Sequence, residues 1–133
     1  MATRCQIGIY EKANMENDKF TALIYRHWDG YPEDKGGVLA QIIPFIKEFK
    51  RLRGYDDEYL SARLLQYMTN ENDKANEGKA GELVSDTLSY GICKSFHSDI
   101  AYFYKIEPNK VKVYKVNSFE NQVFNLVKEV STE

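Results

Sequence analysis

Several things are scarce in this chain of 133 residues, and each shortage closes a class of function. It has only two cysteines, Cys5 and Cys93, set at no metal-ligand or redox spacing. No disulfide framework can be read from them, and they point instead to two buried thiols in a reducing compartment. Nowhere do apolar residues run for the ~18–20 positions that span a bilayer, so no membrane partner is expected. The opening Met-Ala-Thr-Arg-Cys-Gln lacks the apolar core of a secretory signal, and a cytoplasmic location is expected. Positive charge is not in excess either: 18 Lys and Arg stand against 20 Asp and Glu, for a net charge of −2. A protein that grips duplex nucleic acid carries a basic face. The one dense basic run, Lys47, Lys50, Arg51 and Arg53, falls at the end of an expected helix, where cations complement the dipole. Duplex nucleic acid is therefore not expected as a partner. P-loop, HExxH, Rossmann and nucleophile-elbow signatures are all absent, so no cofactor and no metal ion is expected.

What is present begins with length and aromatics. The chain, 1–133, suits a single domain, and chains of this size bury roughly two-thirds of their unfolded surface. Aromatic residues make up 14%, and ten of them are tyrosines. Such a surplus suits strands, which favour Tyr and Phe, and equally suits an interface or a site that stacks on planar ligands.

Residues 3–10 alternate with period two, Cys5, Ile7 and Ile9 on one face and Arg4, Gln6 and Tyr10 on the other, which predicts a half-buried strand. A polar connection, 11–19, leads to a second strand over 20–28 and an antiparallel hairpin. The loop DGYPEDKGG follows. Leu39, Ile42, Ile43, Ile46 and Phe49 then make one helical stripe, which Pro44 should kink or break and Gly54 stops. Asp56 or Asp57 can cap a second helix with Leu60, Leu64, Leu65 and Met68 inward. Residues 70–79 read as a mobile loop, 83–89 as an ambiguous segment with helical character, and 90–96, 100–106 and 110–116 as a strand meander. From about 118, Phe119, Val123, Val127 and Val130 fit one side of a C-terminal helix. The expected fold is α+β, order ββααβββα, a mostly antiparallel sheet of about five strands with helices on one face.

The chemistry-bearing pattern is repeated. The chain's two histidines both sit in His-x-Asp triplets, His27-Trp28-Asp29 and His97-Ser98-Asp99. Positions i and i+2 of a strand point the same way, so a triplet at a strand end could present an imidazole and a carboxylate to one spot. Brought together, the two could bind a divalent metal, act as acid and base on a phosphodiester, or grip a ligand by hydrogen bonds. The plainer reading makes Asp29 and Asp99 turn residues. Beside the first triplet, Gly30 allows a positive φ or a close backbone approach, and Pro32 stiffens the loop after Tyr31, which suits a planar ligand such as a nucleobase. Gly36-Gly37 leave the following helix N-terminus open, a place that receives phosphates. Arg26, Lys94, Lys105 and Lys112 lie on expected strands and could counter phosphates, although lone cations on strands are more often solvated. The candidate ligand-binding set is His27, Trp28, Asp29, Tyr31, His97, Asp99, Tyr102 and Arg26.

The segments TRCQIGIYE, ALIYRHWDGYPE, YLSARLLQYM, YGICKSFHSDIAYFY and KVKVYKV together resemble a family of small uncharacterised proteins of bacteria and their phages. The likeness runs from Thr3 to about Val116, and its most specific parts are HxDGYP and FHxDIxYxY. It implies a setting and no activity: small phage proteins of this kind often inhibit host defence. The expectation is a homo-oligomeric binding protein that captures a nucleotide-derived, cyclic signal as an anti-defence sponge. Two alternatives stay open, a protein inhibitor of a host defence protein and a phosphodiesterase that uses the two triplets.

Overall fold

The computed structural model describes residues 3–33, 36–75, 89–117 and 121–133. Strand β1 (Cys5–Ile9) and strand β2 (Ala22–Arg26) form the expected antiparallel pair, with Ile7 opposite Ile24. Helix α1 (Val38–Arg53) buries Val38, Leu39, Ile42 and Ile46 and half-buries Ile43 and Phe49, the stripe read from the sequence. The break considered at Pro44 does not occur; the helix runs on through it, with Pro44 exposed. Gly54 ends the helix at φ 81°, its N–H donating to Lys50 O at 2.7 Å. Asp56 caps helix α2 (Asp57–Ala75): Tyr59 N–H donates to Asp56 Oδ1 at 3.1 Å. Leu60, Leu64 and Met68 are fully buried beneath it.

Helix α2 runs to Ala75, so the first part of the segment expected as a loop is helical. A polar stretch does not by itself end a helix, and polarity alone was a poor guide to a break there. Residues 76–79, and 83–88 of the ambiguous segment, lie outside the described residues.

The remaining elements are β3 (Tyr90–Ile92), β4 (Tyr102–Ile106), β5 (Lys110–Asn117) and β6 (Val123–Ser131). They complete one mixed, six-stranded sheet in the order β3-β2-β1-β4-β5-β6, in which only β1 and β4 run parallel. Three expectations are corrected. The sheet holds six strands among the described residues, against about five expected. The meander holds only for β4 and β5, because β3 stops at Ile92 and pairs with β2 at the far edge. The tail is a strand and not a helix: β6 pairs along the whole of β5, with a register shift between Val113 and Tyr114 that leaves Val127 unmatched. That shift spoils the period-two pattern and leaves valines at a helix-like spacing.

The sheet separates two cores. The helices cover one face, over Cys5, Ile7, Ile9, Ile24, Tyr104 and Val113. On the other face a loop over 93–101 does the work of helices: Phe96 sets its ring edge on Phe103, 4.9 Å between centroids, with Leu23, Ile100 and Val116 around them. No helix among the described residues is long and apolar enough to cross a membrane.

Candidate functional site

One end of the sheet gathers the segments that carry both triplets. Strand β2 ends there and β1 and β4 begin there, Cys5 lying opposite Arg26 on one side and Tyr102 on the other. Backbone hydrogen bonds tie the loops down: Gly30 N–H to Thr3 O at 2.8 Å, Ala101 N–H to Arg4 O at 2.8 Å, and Val38 N–H to Tyr31 O at 2.9 Å. Gly30 serves a close approach, since a Cβ there would lie 2.6 Å from Thr3 O and 2.9 Å from Cys5 Cβ. The positive φ belongs to Asp29, at 54°, a residue type that tolerates it. The buried Tyr104 hydroxyl donates to Gly30 O at 2.6 Å and fixes the loop from below.

Tyr25 stands at the centre of the cluster. Its hydroxyl lies 2.9 Å from His27 Nδ1, and the His97 ring stacks on its ring with centroids 4.9 Å apart and planes at 30°. His27 in turn meets Trp28 edge to face at 4.7 Å, and Trp28 is 54% exposed. The Arg4 guanidinium pairs with Asp99 at 3.6 Å. Burial, followed by the Asp99 carboxylate, raises the pKa of the Tyr25 phenol, while Arg4 acts against both. His97 is held in place by Gln6, which is fully buried: Gln6 Oε1 accepts from His97 N–H at 2.9 Å, and its Nε2 donates to Ser95 O at 3.2 Å. The two imidazoles thus share one tyrosine although they stand 70 positions apart in sequence.

The carboxylates diverge. Asp99 goes to Arg4, while Asp29 lines a recess of about 150 Å3 with Arg26, Trp28, Gln41, Glu71 and Tyr90. Both triplets lie beyond the strand ends, so the two-residue periodicity that would align His with Asp does not act on them. Arg26 is buried and braces the loop: Nε donates to Trp28 O at 2.8 Å, Nη2 to Gly36 O at 3.1 Å, and Nη1 to the Gln41 side chain. Tyr31 forms the base of the loop through its carbonyl. Tyr102 shares its face of the sheet with Tyr104 and packs on the helix-side core, away from Tyr25. Lys105 and Lys112 belong to the opposite end, Lys105 donating to Met15 O and Lys112 to Glu107 Oε2 at 3.1 Å. Among the described residues, no three His, Cys, Asp or Glu side chains lie close enough to hold a metal ion.

No protein-family model, curated protein or solved structure matches the chain. The site therefore has to be read from its own geometry.

Arg4, Gln6 and Tyr25 are the members that the sequence reading passed over. Tyr25 had a usable signal, because it stands two residues before His27 at the end of a strand, the spacing that the triplets were read by. Arg4 and Gln6 lie on the face of the first strand opposite Cys5 and Ile7, but nothing in their spacing tells which loop that face meets.

Proposed function

We propose that the chain binds a small nucleotide-type ligand at this end of the sheet and holds it without cleaving it. The observation that carries the reading is the meeting of the chain's only two histidines on one tyrosine ring, beside its only tryptophan. An exposed indole offers a face to a nucleobase, and stacking is worth about 1–3 kcal/mol per base. Imidazole N–H groups and the Arg4 guanidinium supply donors to phosphate oxygens. The recess of about 150 Å3 is smaller than the ~300–1,000 Å3 of small-molecule pockets, so a ligand would place one group in it and lie across Trp28. Capture is favoured over hydrolysis because, among the described residues, neither imidazole is paired with a carboxylate that would orient it as a base. In the phage setting that the motif resemblance implies, such a site would sequester a host signal.

Trp28 is the single tryptophan, so its fluorescence reports on the site directly. Titration with mononucleotides, cyclic nucleotides and cyclic dinucleotides should change it saturably for at least one, and that ligand should be recovered intact after denaturation. Silence across the panel, or recovery of cleaved product, overturns the reading.

A second reading rests on β6. It is one of the two edge strands among the described residues, nine residues long, with Val123, Leu126 and Val127 exposed. Open strand edges accept further strands, which fits a homo-oligomer built edge to edge or an inhibitor that adds a partner's strand. Sedimentation should show a dimer that Val127→Lys dissociates; a monomer at every concentration counts against self-association.

A further inference from the structure

The recess beside Trp28 is lined by both signs of charge, the Arg26 guanidinium and the Asp29 and Glu71 carboxylates. Two carboxylates against one cation leave its lining negative, which repels a phosphate and does not repel an uncharged base. In a nucleotide bound at this end, the phosphate therefore belongs with Arg4 and the imidazoles, and the base with the recess. The indole stands between the two, since it lines the recess and meets His27 edge to face at 4.7 Å.

The walls that would read a base are fixed by the fold. Arg26, 4% exposed, is held at three nitrogens, by Trp28 O, Gly36 O and the Gln41 side chain. Each Nη atom of a guanidinium carries two hydrogens, so one bond apiece does not exhaust them. Asp29 sits at φ 54°, and the residue after it is tied on both sides: Gly30 N–H donates to Thr3 O at 2.8 Å, and Gly30 O accepts from the Tyr104 hydroxyl at 2.6 Å. A carboxylate only accepts, and it does so through two neighbouring oxygens. Among the common bases, guanine alone sets two donors side by side, N1–H and the 2-amino group, with an acceptor, O6, next to them. Adenine and cytosine place a ring acceptor beside their amino group, and uracil flanks its one N–H with carbonyls.

We infer that the recess takes the base of a guanine nucleotide, with Asp29 accepting from N1–H and the 2-amino group, O6 accepting from Arg26, and the ring lying against Trp28. This rests on the binding reading above and adds to it the base and its orientation.

The test titrates the full chain with guanosine, inosine, adenosine and xanthosine monophosphates, followed by Trp28 fluorescence. Guanosine monophosphate should bind roughly fivefold to 150-fold tighter than adenosine monophosphate, the discrimination typical of one bidentate pair. Inosine monophosphate, which lacks the 2-amino group, should fall between them. Asp29→Asn keeps the shape of the side chain and tolerates the same φ, but its amide turns an NH2 towards the 2-amino group. Preference should then pass to xanthosine monophosphate, whose C2 oxygen accepts from that NH2. Equal binding of the guanine and adenine nucleotides, or a folded Asp29→Asn that weakens all four alike, overturns the inference and leaves nucleotide binding standing. Should Asp29→Asn fail to fold, inosine monophosphate decides on the unaltered chain, and binding equal to that of guanosine monophosphate overturns the inference. Silence for every nucleotide overturns the binding reading, and this one with it.

Discussion

The two ends of the sheet use similar side chains to opposite effect. At the end where β4 runs out, the 11–19 connection folds back, and Asn14, at φ 60°, brings its N–H to 3.0 Å from Glu107 Oε2. Lys112 Nζ reaches the same oxygen at 3.1 Å and Asn14 Oδ1 at 2.9 Å. Glu107 is buried, and Lys105 beside it donates to Met15 O and, at 3.1 Å, to Asn17 Oδ1. Burial lowers the pKa of Lys105. These charges are spent on the chain itself, closing a connection over the apolar face. At the other end Arg4, Asp99 and the imidazoles keep contact with solvent, and the indole faces outward. Residue type does not separate a brace from a site here; exposure does.

The sharpest way to break this contrast is at Lys112. Lys112→Met leaves the Glu107 carboxylate buried without its cation, and losing one partner of a buried pair removes about 3–5 kcal/mol. Urea unfolding should show that loss, while the nucleotide response of Trp28 in the folded fraction stays as it was. A loss below about 1 kcal/mol would mean that the closed end is no more committed than the open one.

Alkaline pH probes the core beneath both ends. Burial pushes the Cys5 thiol up to about 12 from its ordinary 9.0, with Arg26 working against it. A pKa raised on folding means that the fold favours the neutral thiol. The contribution is complete below pH 9, is lost as pH climbs through about 12, and amounts to about 4 kcal/mol at about 1.4 kcal/mol per tenfold. The phenols of Tyr10, Tyr55 and Tyr104, raised chiefly by burial, add to it in the same direction. Stability measured by urea should therefore fall steeply above pH 9, and less steeply in Cys5→Ala.

Trp28 separates function from fold. Trp28→Ala removes a side chain that is 54% exposed, so stability should move by no more than about 0.5 kcal/mol. If the indole stacks on a base, calorimetry should show nucleotide binding weakened by about 1–3 kcal/mol, roughly fivefold to 150-fold. Unchanged binding would move the ligand elsewhere.

How far the sequence revealed this depended on whether local periodicity survived in the fold. It survived in the α1 stripe, where one side chain in three to four meets a core, and only partly in β1, where Cys5, Ile7 and Ile9 share a face as expected but the other face is buried too, so that the strand is not half-buried. It failed in β6, an edge strand with side chains exposed on both faces and a register shift at its middle, so that Val123, Val127 and Val130 mimicked a helix. It failed again after Ile92, where Cys93 and Phe96 looked like the continuation of a strand and instead pack on the loop-covered face of the sheet. The convergence of the histidines was legible as a possibility, because two equal triplets at expected strand ends invited it. The partners of those histidines were not. Gln6 and Arg4 act on loops some 90 residues away, and no spacing rule reaches that far.

The smallest expected effect closes the comparison from the open end. Arg4 and Asp99 pair at 3.6 Å with side chains 36% and 56% exposed, and such pairs are worth about 0–1 kcal/mol. Asp99→Asn should therefore change urea stability by less than about 0.5 kcal/mol, far below Lys112→Met, although both remove one charge from an ion pair. Two other readouts should move. The Asp99 charge helps to hold the Tyr25 phenol up, so its pKa should fall towards the ordinary tyrosine value, visible in the carbon-13 shift of its ring during an alkaline titration. Arg4, freed from its carboxylate, should hold a phosphate better, strengthening nucleotide binding severalfold at low salt and less as salt screens it. Should Asp99→Asn destabilise the chain as much as Lys112→Met does, the pair would be a brace after all, and the open end would have to be counted as part of the scaffold.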